Sequence, residues 1–347
     1  MTHKETIASL IRLQETPRLP VSLLSGGAWT LNRGGLTMER ALAESPARLA
    51  EIIASTNEQV KCDIVWPGSG YHNLAIRGAG GTIKFRAKGT PDVMAPLIES
   101  ARQIDYSLIT RMKDDPGIRL LAETARILSR SIGAHTTVGT SQWAPFTLGG
   151  LAYGVEKMMR SVYKDKAAVH AVLEFSAELC FAYLEPFIEA GVSIVSLADP
   201  TSSGDLISRE QFAEFSLPYL KRVGAKVKER GVWLTVHICG NTTNRLDLIP
   251  QSGADIMSVD YKVDLSEARR ILNGKIAFAG NMNPVEVMQK ETPGGVAEAC
   301  RQTISKAGAS AGFLLMPGCD IPPSVPIDNV KAMVETAHEY CFSQEVH

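Results

Sequence analysis

The sequence predicts an α/β fold, a (β/α)8 barrel with a β-hairpin inserted after the second strand. Three observations predict it. Short β-rich apolar runs alternate with helical patterns along almost the whole chain, eight such runs can be counted, and no shift in composition divides the 347 residues. Alternation of this kind implies parallel strands joined by helices. Eight repeats in a chain of this length fit a closed barrel better than a two-domain dinucleotide fold. With no internal repeat, low-complexity tract or linker, residues 1–347 read as one domain.

Taken in order, the N-terminal stretch places Ile7, Leu10 and Ile11 at helical spacing between Glu5 and Glu15, the pattern of an amphipathic surface helix. It lacks the apolar segment and small-residue cleavage site of an export signal. The eight runs are PVSLLS (20–25), CDIVW (62–66), AHTTVGT (134–140), VSIVSLA (192–198), VWLTVH (232–237), DIMSVD (255–260), KIAFAG (275–280) and GFLLMP (312–317). Ser45 followed by Pro46 marks a helix start, with Leu49, Ile52 and Ile53 forming its apolar stripe. In residues 74–88, GAGG (78–81) reads as a turn, and Ile83 and Phe85 alternate with Thr82, Lys84 and Arg86; this is the inserted hairpin. Ser208 and Gln211 have the spacing of a capping box. A last helix starts near Asp328 and turns Val330, Met333, Val334 and Ala337 inward.

A formal net charge of −1 with 45% hydrophobic residues excludes a polyelectrolyte partner such as nucleic acid. The unbroken apolar runs are strand-length, short of the roughly 20 residues that span a bilayer, so no membrane segment is expected. A cytoplasmic protein is predicted. Its six cysteines, Cys62, Cys180, Cys239, Cys300, Cys319 and Cys341, are scattered through a long chain and do not form a disulfide framework.

In a barrel, chemistry gathers at the C-terminal ends of the strands. His237 ends the fifth run, Cys239 begins the loop beyond it, and Cys319 lies just past the eighth run. Two cysteines 80 residues apart do not make a zinc finger, whose ligands come in close pairs. Brought to one rim, Cys, Cys and His suit tetrahedral zinc with a position left open. Spacing alone fits equally well two buried thiols and a hydrogen-bonded core imidazole. Asp199 and Asn281 follow the fourth and seventh runs and Asp260 ends the sixth, where substrate contact, support of a metal ligand and simple loop capping are all open to them. Trp29, Trp66 and Trp143 also follow strand ends, positioned to wall a flat ligand or to close the barrel top. His135 reads as core; His72, His170 and His338 read as exposed or incidental.

The stretches VHICGNTT (236–243), GADIMSVD (253–260), IAFAGNMNP (276–284) and LLMPGCDIPPSVPIDNVKAMV (314–334) resemble the uroporphyrinogen decarboxylase superfamily, in its zinc-dependent corrinoid methyltransferase branch. The resemblance spans most of the chain and is most specific in its C-terminal half. It implies zinc held by His237, Cys239 and Cys319. It further implies cobalamin presented by a separate small corrinoid carrier protein, and methyl transfer to a thiol acceptor such as coenzyme M. Related readings are demethylation of a methyl ether or methylamine donor, or transfer to homocysteine or tetrahydrofolate. A reading of another class is a non-catalytic partner of the carrier with a structural zinc. The decarboxylase reading ranks lower, because the arginine-containing stretch that decarboxylases carry after the first strand is here LLSGGAWTLNRGG (23–35), with Arg33 its one basic residue.

Overall fold

The computed structural model describes residues 1–87, 89–308 and 311–340; Cys341 lies outside them. Seven parallel strands form one sheet in the order β1 (Ile64–Val65), β4 (Thr137–Trp143), β5 (Ile194–Ala198), β6 (Trp233–Ile238), β7 (Ile256–Val259), β8 (Ala277–Met282) and β9 (Phe313–Pro317). Residues 20–22 close the ring. Val21 bridges Leu315 in parallel, Ser22 N–H donates to the Leu315 carbonyl (3.1 Å), and on the other side Asp63 N–H donates to the Val21 carbonyl (2.9 Å). The eight expected runs thus build the barrel wall.

Side chains alternate along each strand. One set, including Ile64, Trp66, Ile194, Ile256, Ala279 and Met316, packs together in the lumen; the other set faces the helices. The N-terminal helix His3–Ile11 departs from its expectation. It is a plug, with Ile7 and Leu10 packed in the lumen cluster at 0% and 1% exposure, and Lys4 N–H donates to the His135 carbonyl just before β4 (2.8 Å). An amphipathic helix looks the same in sequence whether its apolar face covers a surface or a barrel end.

The helix starts follow their signals. Ser45 Oγ accepts from Arg48 N–H at the head of Pro46–Val60, and Ser208 and Gln211 form the reciprocal capping box. Residues Ile327–Glu339 form the last helix, with Val330, Met333, Val334 and Ala337 buried.

After β1, a short antiparallel pair joins β2 (Ile83–Lys84) to β3 (Asp92–Val93). The GAGG stretch does not form its turn; it ends a short helix, Leu74–Gly78, that precedes the pair. Helix Lys166–Glu189 qualifies the reading of the apolar runs as strand-length. By length and composition it could cross a membrane (mean hydropathy 1.4), yet 67% of that window is buried inside the fold. Counting only unbroken apolar runs overlooks a long helix whose few polar residues are spread along it.

Candidate metal centre

His237 lies near the C-terminal end of β6, in register with Ala198 of β5 and Ser258 of β7. Three residues on, the chain turns at Gly240 with φ +89°, and a Cβ there would lie 2.6 Å from a carboxylate oxygen of Asp205. Gly318 has the same role after β9. A Cβ on it would come within 2.4 Å of the Tyr261 backbone nitrogen, and its N–H donates to the Met282 carbonyl (2.8 Å). Gly240 thus seats the Cys239 loop against the loop after β5, and Gly318 seats the Cys319 loop against the loop after β7. His237 Nε2 lies 3.0 Å from Cys239 Sγ, Cys239 Sγ lies 3.4 Å from Cys319 Sγ, and the three donor atoms all fall within 4.8 Å of one another. On its other side His237 Nδ1 pairs with Ser258 Oγ (2.9 Å).

The two thiols titrate as a pair. Cys319 is pushed down to about 4, chiefly because Cys239 hydrogen-bonds to its thiolate, with His237 adding to the effect. Cys239 is pushed far up by the same contact, by burial, and by the Cys319, Asp260 and Asp320 charges. A second thiolate beside the first is unfavourable unless a cation lies between them. Asp320, next to Cys319, is raised to about 6 by burial. It accepts from Gly26 N–H (2.8 Å), which ties the Cys319 loop to the segment that closes the barrel.

The donor set fits a tetrahedral ion. Zn–S and Zn–N bonds of about 2.3 and 2.05 Å imply S···S and S···N separations of roughly 3.8 and 3.5 Å. The Cys239–Cys319 and His237–Cys239 contacts, at 3.4 and 3.0 Å, need a few tenths of an ångström of expansion. Two soft sulfurs and an imidazole select zinc over magnesium or calcium.

The uroporphyrinogen decarboxylase (URO-D) family model matches residues 2–340. The chain belongs to this family. Among its relatives, the methylcobamide:CoM methyltransferase MtbA of Methanosarcina mazei is 32% identical over 98% of this chain and 99% of its own length. The MtbA of Methanosarcina acetivorans is 31% identical over 74% and 73%. A solved methyltransferase from Methanosarcina mazei, 20% identical, shares the fold with a TM-score of 0.84 over 98% of this chain and 99% of that one.

Within this URO-D barrel, the other residues singled out from the sequence sit near the rim but outside the donor cluster. Asp199 is fully buried, and its carboxylate accepts from Thr147 N–H (2.9 Å), Thr147 Oγ1 (2.7 Å) and Ser216 Oγ (2.6 Å). Burial raises it against the pull of those donors. Its own N–H donates to the His237 carbonyl (2.8 Å). The Asp260 carboxylate accepts from Lys262 N–H (2.9 Å). Asn281 Nδ2 donates to the Asp260 and Val263 carbonyls (3.0 and 2.7 Å), fixing the loop after β7.

Trp29 and Trp66 are buried and donate to the Val325 and Leu23 carbonyls. Trp143 is only half-buried and lies against the His72 ring at 4.3 Å between centroids.

Two histidines differ from expectation. His135 is exposed, because β4 begins only at Thr137. His72 is buried, pairs through Nε2 with Ser141 Oγ (2.7 Å), and is pushed down to about 3 by burial. Among the other thiols, Cys62 and Cys300 are buried and pushed up to about 12, and Cys180 is buried and raised as well, all three chiefly by burial.

Sequence reasoning missed Ser258 and Asp320. The signal for Asp320 was its place beside Cys319. For Ser258 it was an inward position one strand over from His237, a relation that exists only once the register is known.

Proposed function

We propose that this chain is a cytoplasmic methyltransferase that moves a methyl group between a corrinoid, presented by a separate small carrier protein, and a thiol of the coenzyme M type. The carrying observation is the convergence of one imidazole nitrogen and two sulfurs, from the ends of two non-adjacent strands, at the barrel rim. His237, Cys239 and Cys319 would hold zinc. When bound there, the ion supplies the Lewis acidity that turns an entering thiol, ordinarily of pKa about 8.5, into a thiolate at neutral pH.

Everything else is done by the chain itself. With His237, Cys239 and Cys319 as its protein donors, a bound zinc would have a position left for the acceptor. Gly240 and Gly318 let the cysteine loops approach, and Asp320 anchors one of them to the barrel seam. In the proposed reaction the acceptor sulfur would form the new S–C bond as the Co–C bond of the corrinoid substrate breaks, the bonding pair would leave with the corrinoid, and the thiol proton would pass to solvent. Alignment of sulfur, methyl carbon and cobalt is what a fixed rim contributes. Asp260 and Asn281, which shape the loop after β7, are proposed to line the acceptor side, and Asp199 to brace the His237 strand.

The test is anaerobic incubation of metal-analysed protein with methylcobalamin and coenzyme M, following cob(I)alamin optically and the methylated thiol by mass spectrometry. Stoichiometric zinc and thiol-dependent cob(I)alamin formation are expected. Stoichiometric zinc with no transfer to coenzyme M, homocysteine or tetrahydrofolate would overturn the reading.

A further inference from the structure

The geometry points to Ser258 as a positioning residue that fixes the tautomer of His237 and sets how strongly the site holds its metal and activates an acceptor. This inference rests on the zinc reading above.

A neutral imidazole has one N–H and one lone pair. His237 Nε2 is the nitrogen that faces the sulfurs, 3.0 Å from Cys239 Sγ, so to act as a ligand it must carry the lone pair. The proton is then on Nδ1, and Nδ1 needs an acceptor. The partner it has is Ser258 Oγ at 2.9 Å, with both residues buried, at 2% and 0% exposure. The arrangement is built into the sheet: His237 and Ser258 are register partners on adjacent parallel strands. Their side chains therefore leave the same face of the wall side by side, and the ring cannot rotate about its bond to the backbone without breaking the contact.

The chemical type of the acceptor matters as much as its place. Metal-bound histidines commonly donate to a carboxylate or a carbonyl, which pins the ring and also makes it a stronger donor. Here the acceptor is an uncharged hydroxyl. The site already gathers two thiols, with the Asp260 and Asp320 charges acting on Cys239. A third carboxylate behind the imidazole would add electron density and weaken the pull on an entering thiol. Serine fixes the orientation without that addition.

Three measurements test this. In histidine-labelled wild-type protein loaded with zinc, nitrogen NMR is expected to find Nδ1 protonated and Nε2 bound. Chelator competition should find zinc affinity about 10- to 100-fold weaker in Ser258→Ala and largely restored in Ser258→Thr. In Ser258→Asp, zinc should bind at least as tightly while the pH profile of thiol-dependent transfer moves to higher pH. Metal-free melting of each variant checks folding, and the wild-type spectrum needs no variant. An Nε2-protonated ring, or Ser258→Ala binding zinc within about twofold of wild type, would overturn the role of Ser258 while leaving the metal centre in place. Wild-type protein that binds no zinc would overturn the metal centre and the role of Ser258 with it.

Discussion

The two ends of this barrel each hold a cluster of ionisable groups, and the clusters are built on opposite principles. At the N-terminal end Asp63, fully buried, accepts from Arg18 through Nη1 and Nη2 (3.0 and 2.5 Å) and from Val21 N–H (2.8 Å), and pairs with His3 Nδ1 (2.7 Å). Burial alone would raise its pKa, but Arg18 and His3 outweigh burial and hold it below the ordinary carboxylate range. Charge meets counter-charge and every oxygen is used. At the C-terminal end two thiols and an imidazole converge, and the contact between the thiols favours ionisation of Cys319 and opposes that of Cys239. A cluster whose valences are met within the chain is a fastener. One whose donors point at a common centre and repel when charged is not fastened by its own charges.

The largest expected effect comes from breaking the fastener. Asp63→Asn leaves the Arg18 guanidinium without its partner, and the loss of one member of a buried pair destabilises by about 3–5 kcal/mol. Urea denaturation should read this loss, while protein that still folds should bind zinc with wild-type stoichiometry. The pH dependence has a definite sign. The folded pKa of Asp63 is depressed, so its contribution is present above the unfolded value of about 3.9 and is lost as pH falls through the folded value. Loss of zinc binding in folded Asp63→Asn would mean that the two ends are not independent.

Emptying the other cluster should do the reverse. Cys319→Ala removes one half-buried side chain and its single hydrogen-bonded contact with Cys239, so metal-free stability is expected to stay within about 1 kcal/mol of wild type. What disappears is the gain on adding zinc, about 2.7 kcal/mol when free metal is 100 times its dissociation constant. Thermal melting with and without zinc measures both quantities. A zinc-dependent shift that survives Cys319→Ala would remove this cysteine from the metal set.

The comparison also explains what could be read from the sequence. The β-rich runs and the starts at Ser45 and Ser208 were legible because they are local: periodicity and side-chain caps act within a few residues. The His237, Cys239 and Cys319 set was legible because rare residue types fell at strand ends whose position in a barrel is fixed by topology. The plug was not legible, since nothing in Ile7 or Leu10 says which apolar surface they meet. Nor were the Asp63 cluster, with partners 45 and 60 residues away, or the Thr147 and Ser216 contacts of Asp199, all of which depend on which segments the fold lays side by side. His72 was misjudged for the same reason, its burial being set by Trp143 and Ser141 on a distant strand.

The smallest expected effect sharpens the contrast between burial and mere nearness to the site. Asp205 and Lys262 form an ion pair (3.0 Å) that links the loops after β5 and β7 beside Gly240, one residue from Cys239, yet their side chains are 44% and 50% exposed. Water and salt screen such a pair, and exposed pairs contribute about 0–1 kcal/mol. Asp205→Asn should therefore lower stability by less than about 1 kcal/mol, with the difference shrinking further in high salt. Denaturation at two ionic strengths reads the effect. A salt-insensitive loss as large as that of Asp63→Asn would mean that the Cys239 loop is held by Asp205 as firmly as the plug is held by Asp63, and that exposure does not separate the two kinds of cluster.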